Sequence, residues 1–461
     1  MTPRSVFCLA AGIVAVLSSC SAATDAATSW GEPRRATTTR VRPPPSPQVR
    51  PAEAVESAAP APRSAEAEPT PRLTCITQRL KLEGRASVWN TQTRISGDGK
   101  FVAFVVEIES GFFVPERFER LVVYDVDAGE SRALDLESGG RKLVPLPREF
   151  ELSADGRWIA FLVNSGGKTG YWDEPTANEL FVSDWRAGTV EPIDVHRYGI
   201  GPEAGPVELD FSDDMSRVVV LLRAKDWKPA GCLVIDRARD EAHLLAPPAG
   251  GTPMETCISG DGCTVAFVNC LPSSDPFDKP HGLWVHDLRS DGCELLPLQG
   301  WVDADSVDPL VRFGSPRISR SGRYIALLGS LTGDRQMPRA ALLVDRSAER
   351  VSVISRDEEG QPIDAPCYGA KPCEGGDAVL FISNADLTGC DWNKNFDIFR
   401  YDCTSRRVEQ VSMDALHRTG DMWSFESDMS EDGRSIVFWS RASNLIPDDH
   451  NKVPDIFLWQ H

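Results

Sequence analysis

Two stretches near the carboxyl end of the chain carry the same set of hard oxygen donors. Asp391, Asn393, Asn395 and Asp397 stand at alternate positions, and Asp449, Asn451 and Asp455 repeat the pattern further on. Carboxylate and amide oxygens at such spacing are what a calcium loop supplies. The first copy lacks the glycine and the bidentate glutamate of an EF-hand, and Lys394 and Lys452 put an ammonium between the acids. Asp and Asn side chains also close turns by accepting from backbone N–H groups two residues on. The two loops therefore read as structural turns, with calcium the alternative and no cofactor required.

Signals for catalysis are sparse. The Gly-x-Ser-x-Gly elbow of a hydrolase is absent. The seven histidines (His196, His243, His281, His286, His417, His450 and His461) make no HxH or HxxxH pair. His281 and His286, with Asp275 and Asp278 nearby, come nearest to a metal set. No CxxC pair has zinc spacing. Trp227, Trp301, Trp392 and Trp423 fall in loops or at strand edges. Trp392 is the expected surface aromatic, of the kind that anchors interfaces.

The elements that must position these residues are set by a repeat. Seven times the chain makes a short turn related to Ser-x-Asp-Gly: 96–100, 153–157, 212–216, 259–263, 319–323, a degenerate copy at 374–378, and 430–434. Starts are spaced by 47 to 60 residues, the length of one four-stranded propeller blade. An apolar run follows each turn: 101–106, 158–163, 218–222, 264–268, 324–328, 378–382 and 435–439. These runs are rich in β-branched and aromatic residues, as buried strands are. A third strand ends in Asp in six copies, at Asp125, Asp184, Asp236, Asp287, Asp345 and Asp402. The expected fold is all-β, a seven-bladed propeller of four-stranded antiparallel blades. The last blade has three strands of its own, so residues 74–82 are expected to supply its outer strand, with Ile76, Leu80 and Leu82 on one face.

With the blades assigned, the last two stretches, 383–402 and 440–459, each begin Ser-Asn/Arg-Ala-x-Leu/Asn and carry Asp-Ile-Phe near their end. Together with the Ser-x-Asp-Gly turn ahead of the second, they resemble the PD40 (WD40-like) repeats of TolB-like propeller proteins. The resemblance covers residues 73–461 and is strongest from 376 onward. It implies a propeller used for binding in a bacterial envelope. The amino-terminal α/β domain of TolB has no counterpart in it.

The amino-terminal residues point the same way. Arg4, an apolar stretch over 6–17 and Leu17-Ser18-Ser19-Cys20 form a secretory signal too short to span a bilayer. Leu-Ser-Ser-Cys resembles the bacterial lipobox, which implies lipid attachment at Cys20 after removal of 1–19, with an ordinary signal peptide the alternative. Ser21 is not the Asp of the inner-membrane retention signal, which leans towards the outer membrane. Residues 20–72 hold ten prolines and no hydrophobic periodicity, and read as a disordered linker. The propeller carries the acid excess of a chain whose net charge is −19, which argues against nucleic acid as a partner.

Setting aside Cys8 and Cys20, ten of the twelve cysteines remain, a usage that suits an oxidising compartment. Cys263 with Cys293, and Cys373 with Cys403, fall near the two hairpin turns of one blade and are expected to bridge. The functional expectation is a membrane-tethered envelope protein, a monomeric propeller whose loop face binds a protein, peptide or glycan. The alternative is an extracytoplasmic polysaccharide lyase or hydrolase with its site in the funnel. A cluster of His, Arg and carboxylates in the funnel would favour the enzyme, and an aromatic or featureless funnel the binder.

Overall fold

In the computed structural model, residues 71–461 are described apart from 81–84, 89–90, 111–115, 166–176, 246–252, 271–280, 303–312, 331–339, 448, 450 and 452. The repeat builds seven antiparallel blades, six of four strands and the first of five. Blade 1 consists of Thr93–Ile95, Phe101–Ser110, Glu116–Asp125 and Glu130–Ala133, with Arg85–Ser87 added to the far end of its second strand. The inner strands of blades 2 to 7 are Phe150–Leu152, Ala204–Phe211, Glu255–Ile258, Phe313–Ile318, Cys367–Pro372 and Ser424–Met429. The second strands are the apolar runs, and Val102, Phe161, Val220, Phe267, Leu327, Phe381 and Phe438 within them are all fully buried. Each core cluster draws on two adjacent blades, as Phe101, Val105 and Leu121 of blade 1 do with Phe150, Ile159 and Phe161 of blade 2.

The Ser-x-Asp-Gly turn works by a local hydrogen-bond circuit. The Ser96 hydroxyl donates to Asp98 Oδ1 at 2.6 Å and accepts from Phe101 N at 3.0 Å. Ser153, Ser212, Ser259 and Ser430 make the same pair of bonds. The fourth residue has positive φ, for instance Gly99 at 73° and, in blade 3, Met215 at 57°; glycine adopts that region without steric cost. In blade 6 the turn begins one residue earlier than the sequence pattern suggests. Cys373 takes the serine seat, donating Sγ to Asp377 at 2.8 Å and accepting from Ala378 N at 3.2 Å. In blades 1 to 6 the terminal Asp of the third strand opens the outer hairpin, as Asp184 Oδ1 does by accepting from Arg186 N and Ala187 N.

Ring closure uses the amino-terminal segment, but over a shorter stretch than the alternation of Ile76, Leu80 and Leu82 suggests. Only Arg72–Cys75 is strand, paired antiparallel with Gln460 to Phe457 of blade 7. Thr77–Arg79 then forms a 3-10 turn, and Leu82 lies outside the described residues. Thr77 is the cause. Its hydroxyl donates to Asp455 and accepts from Ile456 N at 3.1 Å, which turns the chain off the sheet. Ser412 does the same after the outer strand of blade 6, binding Asp397 at 2.6 Å and Ile398 N at 3.0 Å. Thr77 thus occupies in blade 7 the place that Ser412 occupies in blade 6.

Candidate functional site

The strand directions put the Ser-x-Asp-Gly turns and outer hairpins on one face. The other face carries the longer loops between second and third strands and the crossings between blades. Both acidic loops and Trp392 are on this loop face.

The acidic loops are bonded internally. Asp391 Oδ1 accepts from Asn393 N at 2.9 Å and Lys394 N at 3.2 Å, and Lys394 takes a positive φ of 56°. Asn393 donates to Gly420 O and accepts from Asn395 N. Asp397 is fully buried, and burial pushes its carboxyl up to about 7, with Asp391 adding to the rise. In the second copy Asn451 donates to Asp455 Oδ2 at 2.8 Å and accepts from Val453 N at 2.9 Å, and Asp449 is buried. His450 and Lys452 lie outside the described residues, as do Asp275 and Asp278.

Beside the first loop is a groove of about 470 Å³ lined by Cys390, Trp392, His417, Arg418, Thr419 and Asn444. Trp392 is 67% exposed, and Leu416 and Met422 on the crossing to blade 7 are 70% and 36% exposed. They stand on tightly bonded turns. Asp414 Oδ1 accepts from Leu416 N and Arg418 N, both at 2.9 Å, and its Oδ2 from Arg418 Nε at 2.7 Å. Asn444 ties blade 7 to the crossing by donating to Thr419 O and accepting from Asp421 N.

The funnel holds a second constellation, and the sequence reading did not assemble it. Two residues before each turn serine, or Cys373, stand Arg94, Glu151, Asp210, Cys257, Arg317, Lys371 and Asp428. Arg94 grips Glu151 of the next blade with two bonds of 2.6 Å. Lys371 pairs with Asp428, and Arg317 reaches from blade 5 to within 3.9 Å of Glu151 in blade 2. Inner strands leave N–H groups unpaired along the channel, and carboxylates satisfy them. Asp428 accepts from Ile95 N at 3.0 Å and Asp210 from Ile258 N at 2.9 Å, each reaching into the next blade. One layer nearer the loop face stand Glu149, Glu208, Glu255 and Glu426. Burial, with Glu255 as like charge, pushes Glu208 up to about 8; burial raises Glu149 and Glu255 as well. Burial would raise Asp428 too, but Lys371 and Arg94 outweigh it and hold it below the carboxylate range.

The turn-face mouth is narrowed by Arg320, 3.0 Å from Asp213 and 3.4 Å from Glu431. Backbone bonds link the turns of successive blades, Asp98 N to Ala154 O, Ala154 N to Asp213 O, Asp213 N to Gly260 O, and so on round to Glu431 N on Gly97 O. Between blades 5 and 6 the link is Ser321 N to Glu374 Oε2 at 3.2 Å. The signal for this throat was in the sequence, as the position two before each turn serine, but only the ring order shows which charges meet.

The four cysteines expected to bridge are free thiols. A strand separates each pair. Cys263 adjoins the second strand of blade 4 and Cys293 lies in the outer one, with His286 of the third strand opposite Cys293. Cys373 and Cys403 flank the second strand of blade 6, opposite Ala378 and Asp377 respectively.

No protein-family model matches this chain, and no curated protein matches it. Solved structures do, in fold. The β-propeller domain of the Trilobed protease from Pyrococcus furiosus, described as having an open velcro topology, matches with TM-score 0.50 at 14% identity, over 81% of this chain and 93% of that one. An acylaminoacyl peptidase in complex with Z-Gly-Gly-Phe-chloromethyl ketone matches with TM-score 0.51 at 13% identity, over 81% of this chain and 51% of that one. TolB from Acinetobacter baumannii matches with TM-score 0.39 at 10% identity, over 78% and 80%. At such identities the likeness concerns the propeller fold alone.

Proposed function

We propose that this chain is a binding protein of the bacterial cell envelope, tethered through Cys20, whose loop face docks a protein or peptide. The observation that carries the reading is the exposed set of Trp392, Leu416 and Met422 around the groove of blades 6 and 7. Large apolar side chains held in solvent on rigid turns cost solubility and gain nothing for the fold. Pre-organised anchors of this kind cut the entropy lost on association, and an aromatic among aliphatics suits a hot spot for a polypeptide. Two aliphatic neighbours favour a polypeptide over a sugar. The tether rests on the Leu-Ser-Ser-Cys motif, and lipid chains contribute about 0.8 kcal/mol per buried CH₂.

The test is comparative capture from detergent-solubilised membranes, with the wild-type chain and with Trp392→Ala/Leu416→Asp. A partner retained by the first and lost from the second supports the reading; identical capture by both ends it. Cys20→Ala should move the chain from the membrane fraction to the soluble one, and a variant that stays membrane-bound removes the tether.

A second reading draws on the throat, where Arg94, Arg317 and the carboxylates meet the expectation for an enzyme's funnel in part, since among the described residues no His stands with them. Carboxylates with raised proton affinity beside Arg317 are the equipment of acid–base work on a polysaccharide. Glu255 and Asp210, however, already satisfy backbone N–H groups of neighbouring blades. Turnover of a polysaccharide that vanishes in Glu208→Gln would favour the enzyme over the binder.

A further inference from the structure

The seam between blades 3 and 4 gathers transition-metal ligands on facing strands. His286, in the third strand of blade 4, lies directly opposite Cys293 in the outer strand, so their side chains share one face of the sheet. His243, in the outer strand of blade 3, brings its ring centroid to 6.2 Å from that of His286. Asp291, in the turn between the two strands of blade 4, places Oδ1 3.2 Å from His286 Nε2. His286 is only 8% exposed, and its Nε2 has no hydrogen-bond partner; the Asp291 contact has the distance of one without the direction. A nitrogen and an oxygen bound to one tetrahedral zinc ion, each at about 2.0–2.1 Å, stand about 3.3 Å apart. The His286–Asp291 pair has that separation.

We propose that this seam binds one divalent ion of the zinc class through His243, His286 and Cys293, with Asp291 as the fourth ligand. Two imidazoles and a thiolate select zinc-like ions over calcium or magnesium, which take oxygen. Among the described residues no three such side chains already converge on one point. The shell closes by rotation of His243, which is exposed, and of Cys293, which is half-buried. Arg217 acts on His243 as a positive charge, but its guanidinium is engaged by Gly262 O at 2.6 Å and Asp236 at 3.5 Å. A cleft of about 320 Å³, lined by Arg217, Asp236, Asp261 and Cys263 among others, opens along the same seam. A bound ion would join two blades at their outer edge, where hydrophobic packing thins out. Four protein ligands leave no open position, so the ion's role is structural.

The full chain, stripped with a chelator, is titrated with zinc by calorimetry and with cobalt(II) by absorption. The expected result is one ion per chain, a thiolate-to-cobalt charge-transfer band, and a Tm raised by metal. Cys293→Ser should abolish the band. His243→Gln, at an exposed position that does not threaten the fold, should weaken zinc binding about tenfold or more. Cys390→Ser, at an exposed thiol elsewhere, should change neither. Absence of stoichiometric binding overturns the proposal, and so does binding that survives both Cys293→Ser and His243→Gln.

Discussion

At the scale of single residues, two side chains show how a role is set by its seat. Cys373 performs the work of the turn serine, as a weak donor to Asp377 and an acceptor for Ala378 N. Cys373→Ser should therefore keep stability within about 1 kcal/mol, whereas Cys373→Ala leaves a buried N–H unsatisfied and should cost about 1–3 kcal/mol. Urea denaturation of both variants checks this; an equal loss in the two would mean the thiol's bulk matters and its bonds do not. Asp391 likewise spends one oxygen on closing its own turn. Asp391→Ala should lower stability by about 0.5–2 kcal/mol, as loss of a side-chain cap does, and by the same amount with and without calcium. A calcium-dependent rise in Tm, abolished in the variant, would show an ion site in its place.

At the scale of the inner strands, the throat is a set of staples between blades. Asp428 is buried and holds both Lys371 and Ile95 N. Asp428→Ala strands an ammonium and a backbone N–H, and breaking such a pair costs about 3–5 kcal/mol. Chemical denaturation measures it, and a loss below 1 kcal/mol would show that channel water replaces the carboxylate. The raised carboxylates act in the opposite sense with pH. Glu208 has an ordinary value of 4.5 and is pushed up to about 8, so the folded chain holds a proton that the unfolded chain releases. Its contribution is fully present below pH 4.5 and is lost as pH rises through 8. Glu208→Gln should flatten the decline of stability between about pH 4.5 and 8; Tm profiles that overlay those of the wild type would place the proton elsewhere.

At the scale of the whole molecule, the ring is held shut by four residues from one end of the propeller pairing with four from the other. Arg72–Cys75 contributes a ladder to blade 7, and Thr77 locks it through Asp455 and Ile456. Deleting 71–77 from the full chain should lower the Tm of the propeller as one cooperative unit, because blade 7 then loses its outer strand and the seam to blade 1 loses Ile76. Deleting 21–70 should leave that Tm unchanged. A deletion of 71–77 that melts at the wild-type temperature would show that the ring needs no closure strand.

Much of this architecture was legible in advance because it is encoded locally. A Ser-x-Asp-Gly turn makes its bonds within five residues, an apolar run declares a buried strand by its own composition, and an Asp at a strand end caps the hairpin beside it. Seven repetitions of such signals determine a propeller whatever the chain does elsewhere, and Leu-Ser-Ser-Cys marks an expected tether in the same local way. What the sequence could not supply depends on residues far apart in the chain. Thr77 ends the closing strand at Cys75 only because Asp455 and Ile456 are there to receive its hydroxyl. The expected Cys263–Cys293 and Cys373–Cys403 bridges fail because a strand runs between each pair. Arg317 faces Glu151, Arg320 faces Asp213, and His243 approaches His286 only once seven blades have been closed in order. Charge pairing and ligand geometry are properties of distance in space, and the ring sets those distances.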